Sequence, residues 1–211
     1  MKAIIIASGR FEPTAHMETR LRNADLIIAA DGGAAHLMDI KINPHVIIGD
    51  LDSIPISVQS HFKSIKIPFV TYPAKKDKTD TEICIDHALE KGATDITLMG
   101  VTGSRLDHTL TNILLLEALA KKKIPARIMD QNNTIHITCD HLEIQGQPGD
   151  FISLVPLSKQ VEGVCIEGME YPLENATLIR GSSLGVSNKL MGNLGKIRLC
   201  SGSLLLSQSR D

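Results

Sequence analysis

The sequence predicts an α/β protein: an N-terminal Rossmann-like parallel-sheet α/β domain over residues 1–132, then a small all-β sandwich or roll over residues 133–211. Three observations predict it. Short continuous apolar runs alternate with segments of helical character through the first part of the chain, the pattern of a parallel sheet covered on both faces. Several of these runs pass straight into an acidic or glycine-rich turn. Beyond the segment Gln131–Asn133 the helical period stops, and short β-like runs are separated by Gly, Pro, Asn and Asp. No repeat or low-complexity linker separates the two parts.

Element by element, the expected strands of the first domain are KAIIIAS, ADLIIAAD, HVIIGD, IKIPFVTY, DITLMGV and ARIMD. Between them, GAAHLMDI, TDTEICIDHALEKG and LDHTLTNILLLEALAKKK read as helices. In the second domain NTIHITCD, HLEIQG, DFISLVPL, GVCIEG, ATLI and KIRLCSGSLLLSQS read as strands.

Composition narrows the function. The 211 residues are 43% hydrophobic and 22% charged, as in an ordinary globular protein, and suffice for one large or two small domains. A formal net charge of -2 argues against a nucleic-acid backbone binder. No apolar run approaches a membrane span. The start, MKAIIIASGRFEP, reads as a buried strand rather than a signal peptide. Cys84, Cys139, Cys165 and Cys200 are far apart and form no C-x-x-C pair. They read as free thiols of a cytoplasmic protein rather than zinc ligands. Trp is absent and aromatics are 3%, so the core rests on Ile, Leu, Val and Met.

The chemistry-bearing residues fall in four segments. In GDLDSI, Asp50 and Asp52 are two apart, and in an extended chain their carboxylates point the same way, toward one cation; an Asp-rich turn explains them equally well. In KKDKTDTE, Asp77 and Asp80 share one side of the first turn of a helix that either Thr79 or Asp77 caps. Lys75, Lys76 and Lys78 surround them, which suits either a site for metal ions and phosphates or a solvated loop. In GVTGSRLDHTLTN, Gly100 and Gly103 admit close approach of a ligand, and Arg105 and Asp107 open a helix whose N-terminus favours phosphate. Arg105 has the geometry for bidentate bonds to phosphate oxygens. His108 and Asn112 share one face of that helix, His108 as a structural hydrogen-bonder or a catalyst. The segment is not a G-x-x-x-x-G-K-[ST] loop, which disfavours a P-loop kinase. In ADGGAAHL, Asp31 ends a strand, and Gly32 and Gly33 turn the chain into a helix closely enough for a nucleotide to approach. All four segments follow strands at the edge of the sheet where ligands bind. Several carboxylates without a His/Cys cluster favour Mg²⁺ over Zn²⁺, and with arginine and glycine loops they suggest transfer of phosphorus groups.

DGGA (31–34), GDLDS (49–53), DKTDTE (77–82), GSRLDH (103–108) with Asn112, and GVSN (185–188) resemble, in this order, the motifs of thiamine pyrophosphokinases. The resemblance spans nearly the whole chain. It implies an enzyme that moves a pyrophosphoryl group from ATP to the hydroxyl of thiamine, giving thiamine diphosphate and AMP, with Mg²⁺, as a homodimer. It implies ATP and metal on the α/β domain, and thiamine between that domain and the β domain of the other subunit. Asp50, Asp52, Asp80 and Asp107 then become the metal and catalytic acids, assisted by Asp77. Arg105 holds phosphate, and Asp31 with Gly32 and Gly33 borders the nucleotide, as do Thr79, Gly103, His108 and Asn112. Ser187 and Asn188 face the thiamine pyrimidine, and either Asp80 or Asp107 accepts the hydroxyl proton.

Two departures from the family pattern stand out. The Trp that relatives place near the end of the β domain to stack on thiamine is missing, leaving Leu190 or Met191 for apolar contact. Lys76 takes a slot that some relatives fill with a neutral amide. Two other readings remain: a pyrophosphokinase for another ring-bearing alcohol such as a pterin, and a non-catalytic module that senses a nucleotide or thiamine diphosphate.

Overall fold

The computed structural model describes residues 1–73 and 77–210. Lys75 and Lys76, singled out above, lie outside the described residues. The chain forms two compact units, one of Met1–Leu115 and Ile124–Gln131, the other of Leu116–Lys123 and the residues from Asn132 onward.

In the first unit β1 (Lys2–Ile6), β2 (Leu26–Ala30), β3 (Val46–Gly49), β4 (Phe69–Thr71), β5 (Asp95–Met99) and β6 (Ala126–Met129) pair in parallel, in the order β6-β5-β1-β2-β3-β4. The last four residues of β1, β2 and β5 are buried without alternation, so both faces of these strands are covered. The helices are α1 (Ala15–Arg22), α2 (Gly33–Asp39), α3 (Ile56–Ser64), α4 (Asp80–Glu90) and α5 (Leu106–Lys121). Hydrophobic period did not reveal α1 or α3, because each buries only two side chains one turn apart, Met17 and Leu21 in α1, Val58 and Phe62 in α3. The available signal for α1 was local: Thr14 caps it by accepting the Met17 N–H at 3.3 Å, with Glu18 in the first turn and Arg20 and Arg22 in the last.

The strand order positions the site. The chain builds outward from β1 through β2, β3 and β4, then returns to the other side of β1 as β5 and β6. The connections leaving β1 and β5 therefore diverge, and open sheets form their ligand crevice where such neighbours part.

The second unit is antiparallel. β7 (Asn133–Thr138), β9 (Phe151–Pro156), β12 (Asn188–Lys189) and β14 (Leu204–Ser209) pair in the order β12-β9-β14-β7. β8 (His141–Gln145), β10 (Gln160–Glu167), β11 (Leu173–Ile179) and β13 (Leu194–Arg198) form a second sheet, β11-β10-β13-β8. Ile152, Leu154, Leu204 and Leu206 of one sheet share a buried cluster with Ile144, Val161, Val164 and Ile197 of the other, which makes the unit a sandwich. The run KIRLCSGSLLLSQS is two strands, because Gly202 at φ 98° turns the chain between β13 and β14. Among the described residues no helix is long and apolar enough to cross a membrane.

A polar tie closes this unit. The buried Asp150 carboxylate accepts Arg210 Nε at 2.9 Å and Nη2 at 2.8 Å, Gln208 Nε2 at 2.8 Å and the Gln147 N–H at 3.0 Å. Burial alone pushes this carboxyl up, but the Arg210, Gln147 and Gln208 bonds outweigh it and hold it below the usual range. A depressed carboxyl contributes stability above its unfolded value, about 4, and loses it as pH falls through the folded value. Arg210→Ala is expected to cost about 2 kcal/mol near neutrality, roughly 5 °C in melting temperature. The gap should narrow below pH ~4; a gap that stays constant on acidification would show that this pair does not carry the effect.

Candidate active site

A cavity of about 520 Å³ lies where β1 and β5 part. Ala7, Ser8 and Gly9 form one wall, and Gly100–Arg105 the other. Asp50 enters from the end of β3, and Thr79, Asp80 and Thr81 from the start of α4. Thr79 is the α4 cap, its hydroxyl accepting the Glu82 N–H at 3.2 Å. The N-termini of α4 and α5 thus both border the cavity, and each is an attractive end for an anion.

Beside this cavity Asp31, Asp50 and Asp52 each offer a carboxylate oxygen, all within 4.8 Å of one another. Asp31 is only 7% exposed. Its Oδ2 accepts the Ser53 hydroxyl, while its buried Oδ1 has no partner. Its backbone is in the left-handed region at φ 48°, uncommon for a non-glycine residue. An unpartnered buried carboxylate oxygen is costly unless something satisfies it. Asp50 Oδ1 also accepts the Asp52 N–H at 3.2 Å, so the turn reading and the paired-acid reading hold together. The hydrogen bond and charge of Asp50 hold the Asp52 carboxyl above the usual range, with smaller pushes from burial, Asp31 and Asp80. Three crowded carboxylates, one with an orphaned oxygen, are a donor set that fits a hard divalent cation such as Mg²⁺.

The remaining expected residues are distributed less evenly. Arg105 lines the cavity, but its fork rests on Asp107, with Nη2 to Oδ2 at 2.5 Å and Nε to Oδ1 at 3.3 Å. That bond holds the Asp107 carboxyl below the usual range. Asp107 is not among the lining residues, whereas His108 and Asn112 are. Asn112 is buried and donates Nδ2 to the Val101 carbonyl at 2.9 Å, so it anchors the β5–α5 loop. Gly103 lies in that loop, and Gly32 and Gly33 form the turn between β2 and α2. Asp77 is exposed and borders a separate hollow with Tyr72, Asp86 and His87. Lys78 lines the main cavity, yet its Nζ is 2.6 Å from Asp86 and 3.5 Å from Glu82.

In the second unit Ser187 is exposed at φ 60°, its N–H donating to Ser153 Oγ at 3.0 Å. Asn188 is 3% exposed, and both its amide oxygen and its amide nitrogen are bonded to backbone. Oδ1 accepts the N–H groups of Tyr171 and Lys189 at 2.9 Å each, and Nδ2 donates to the Tyr171 carbonyl at 2.8 Å. Asn188 therefore clamps the backbone of Tyr171, a residue 62% exposed. Leu190 is in the sandwich core, while Met191 is 63% exposed.

The sequence reading did not assign Ser8, Gly9 or Ser53. The signal for the first two was the same strand-then-glycine texture seen elsewhere, in ASGR after the first strand. Ser53 lies inside the quoted GDLDS, but nothing in the sequence pairs it with Asp31.

Residues 17–128 match the family described as "Thiamin pyrophosphokinase, catalytic domain", and residues 132–204 match "Thiamin pyrophosphokinase, vitamin B1 binding domain". The chain belongs to the thiamin pyrophosphokinase family. It is 34% identical over 188 residues to the thiamine pyrophosphokinase of Bacillus subtilis (strain 168), 88% of each chain. It is similar to a crystal structure of thiamine pyrophosphokinase from Bacillus subtilis, with a TM-score of 0.89 at 30% identity over 100% of both chains. A thiamin pyrophosphokinase structure from Geobacillus thermodenitrificans gives 0.86 at 30% identity, covering 100% of this chain and 98% of that one. The acids from Asp31 to Asp107 and Asn112 fall in the segment matched to the thiamin pyrophosphokinase catalytic domain; Ser187 and Asn188 fall in the vitamin B1 binding segment.

Proposed function

We propose that this chain transfers the pyrophosphoryl group of ATP to the hydroxyl of thiamine, releasing AMP and thiamine diphosphate. The observation that carries this reading is the convergence of Asp50, Asp80, Arg105 and two helix N-termini on one cavity at the strand-order switch, beside the Asp31–Asp50–Asp52 cluster. Residues 1–132 are assigned to ATP and the cation, and residues 133–211 to thiamine and dimer contact. Asp31, Asp50, Asp52 and Asp80 are the residues that would hold Mg²⁺, which supplies neutralisation of polyphosphate charge when bound. Asp31 thereby moves from bordering the nucleotide to the cation set.

In the reaction the thiamine hydroxyl oxygen bonds to the β-phosphorus of ATP. The bond from that phosphorus to the oxygen shared with the α-phosphate breaks, and AMP leaves with that oxygen. Asp80, which lines the cavity, is assigned the hydroxyl proton; Asp107 is assigned to orient Arg105. Arg105 and the amides of the loops after β1 and β5 hold phosphate oxygens.

The test is AMP release in the presence of Mg²⁺ and ATP, with and without thiamine. AMP formed only with thiamine supports the reading. Equal release with a pterin alcohol instead, or calorimetric binding of thiamine diphosphate without turnover, would replace it. Asn188→Ala is expected to raise the thiamine KM about tenfold through release of Tyr171, with kcat within about twofold. A change in kcat alone would remove this loop from substrate binding.

A cytoplasmic homodimer completes the proposal. The first domain would add to the dimer contact made by residues 133–211: Leu106, Leu110 and Leu114 form an exposed apolar stripe on α5, at four-residue spacing, that a second copy would cover. Light scattering that returns twice the chain mass supports the dimer; the single-chain mass refutes it.

A further inference from the structure

The wall made by Ala7–Gly9 is held by an unusual fastening. Past the ends of β1 and β5 the two chains continue to bond: Ala7 N–H to Met99 O at 2.9 Å, Gly9 N–H to Gly100 O at 2.6 Å, and Arg10 N–H to Thr102 O at 2.8 Å. The approach is so close that a Cβ on Gly9 would lie 2.5 Å from both the Gly100 and the Thr102 carbonyl oxygens. The Gly100–Ser104 side of this zipper is anchored by Asn112 through Val101. The other side is anchored by His36. Its Nε2 is 2.9 Å from the Gly9 carbonyl, and its ring lies 5.2 Å from that of Phe11. A carbonyl only accepts, so Nε2 carries the hydrogen.

We infer that His36 is a positioning residue for the nucleotide: through Gly9 it fixes the glycine wall of the cavity against which ATP phosphates rest. His36 does not itself line the cavity. It sits on α2, one turn beyond the Asp31–Gly32–Gly33 bend, so one short helix ties the cation acids to the glycine wall. Without the imidazole N–H, the Gly9 carbonyl loses its side-chain donor and the Ala7–Phe11 segment keeps only the zipper bonds on one side. Ordering that segment then falls to the nucleotide, and affinity drops by the ordering cost.

This inference rests on the proposed reading of the cavity as the ATP site. Two variants separate the hydrogen bond from the ring contact. His36→Phe keeps a ring against Phe11 and removes the donor; His36→Gln keeps a donor at similar reach and removes the ring. His36→Phe is expected to raise the ATP KM about fivefold to tenfold, with thiamine KM and kcat within about twofold, and His36→Gln to restore most of the ATP affinity. Melting temperatures measured in parallel report any general loss of fold. Calorimetry with a non-hydrolysable ATP analogue and Mg²⁺ repeats the comparison without turnover, so it tests the clamp even if thiamine proves to be the wrong acceptor. Unchanged ATP affinity in His36→Phe overturns the inference. So does a lowered melting temperature with both Michaelis constants unmoved, or equal weakening of ATP and thiamine.

Discussion

Asp52→Asn is expected to lower turnover by roughly a hundredfold to a thousandfold, the scale seen when one preorganised electrostatic group is removed from a phosphoryl or acyl transfer site. The fold should not suffer. Asp52 is exposed, and its carboxyl is held above the usual range by the bond to Asp50 and by the charges of Asp50, Asp31 and Asp80. Such crowding means that the free protein carries mutual repulsion near neutrality, which a bound counter-charge relieves. Removing one carboxylate therefore leaves the melting temperature of the free protein unchanged or raises it. What disappears is the cation's contribution. Saturating Mg²⁺ and an ATP analogue should raise the melting temperature of the wild-type chain, because a ligand that binds only the folded state stabilises it, and that rise should largely vanish in the variant. A variant that keeps most of its turnover and the full ligand-induced rise would exclude Asp52 from the cation site.

Gly33→Ala acts on the opposite quantity, stability. Gly33 is buried at the first turn of α2, and a Cβ built there would run into the Ile6 carbonyl oxygen, with the Ile6 carbonyl carbon 2.7 Å away. These are backbone atoms of the central strand, and they cannot yield as the tip of a side chain would. The expected cost is about 3 kcal/mol or more, roughly 10 °C in melting temperature for a chain of this size. Helix propensity favours alanine here by up to about 1 kcal/mol, so the clash must overcome that gain. A melting temperature equal to that of the wild type would mean that β1 and α2 are packed less closely than their geometry states.

The layered architecture was legible because its signal is local. Short β-rich runs such as DITLM and ARIM, set between helical segments, read as strands of a covered parallel sheet, and each appears where expected, as β5 and β6. Short elements carried no such signal: α1 and α3 each bury two residues, below what periodicity can register. The acids were legible as a set because turn chemistry does not explain so many of them after successive strands. Their partition was not legible. Whether Asp31 joins Asp50 and Asp52 depends on β2 and β3 lying side by side in register Ala30↔Ile48, a contact that no spacing rule contains. Equally, GVSN offered Asn188 as a ligand contact, and no spacing rule shows that its amide also holds the Tyr171 backbone seventeen residues away. The bend Asp31–Gly32–Gly33 was read as room for a nucleotide, and the room at Gly33 is taken by Ile6.

The strand order also dictates a schedule for synthesis. β1 can pair with β2 once Leu26–Ala30 has emerged, but its other edge waits for β5, with Lys2 facing Asp95 and Ile6 facing Met99. For the 93 residues from Ile6 to Met99 that edge of the apolar central strand stays bare, open to nascent neighbours on the same messenger. The crevice exists only after that edge closes, so a ribosome-bound chain that stops before β5 should retain no phosphate grip, and a chaperone that shields the β1 edge should raise the yield of active protein more than one acting on the completed chain.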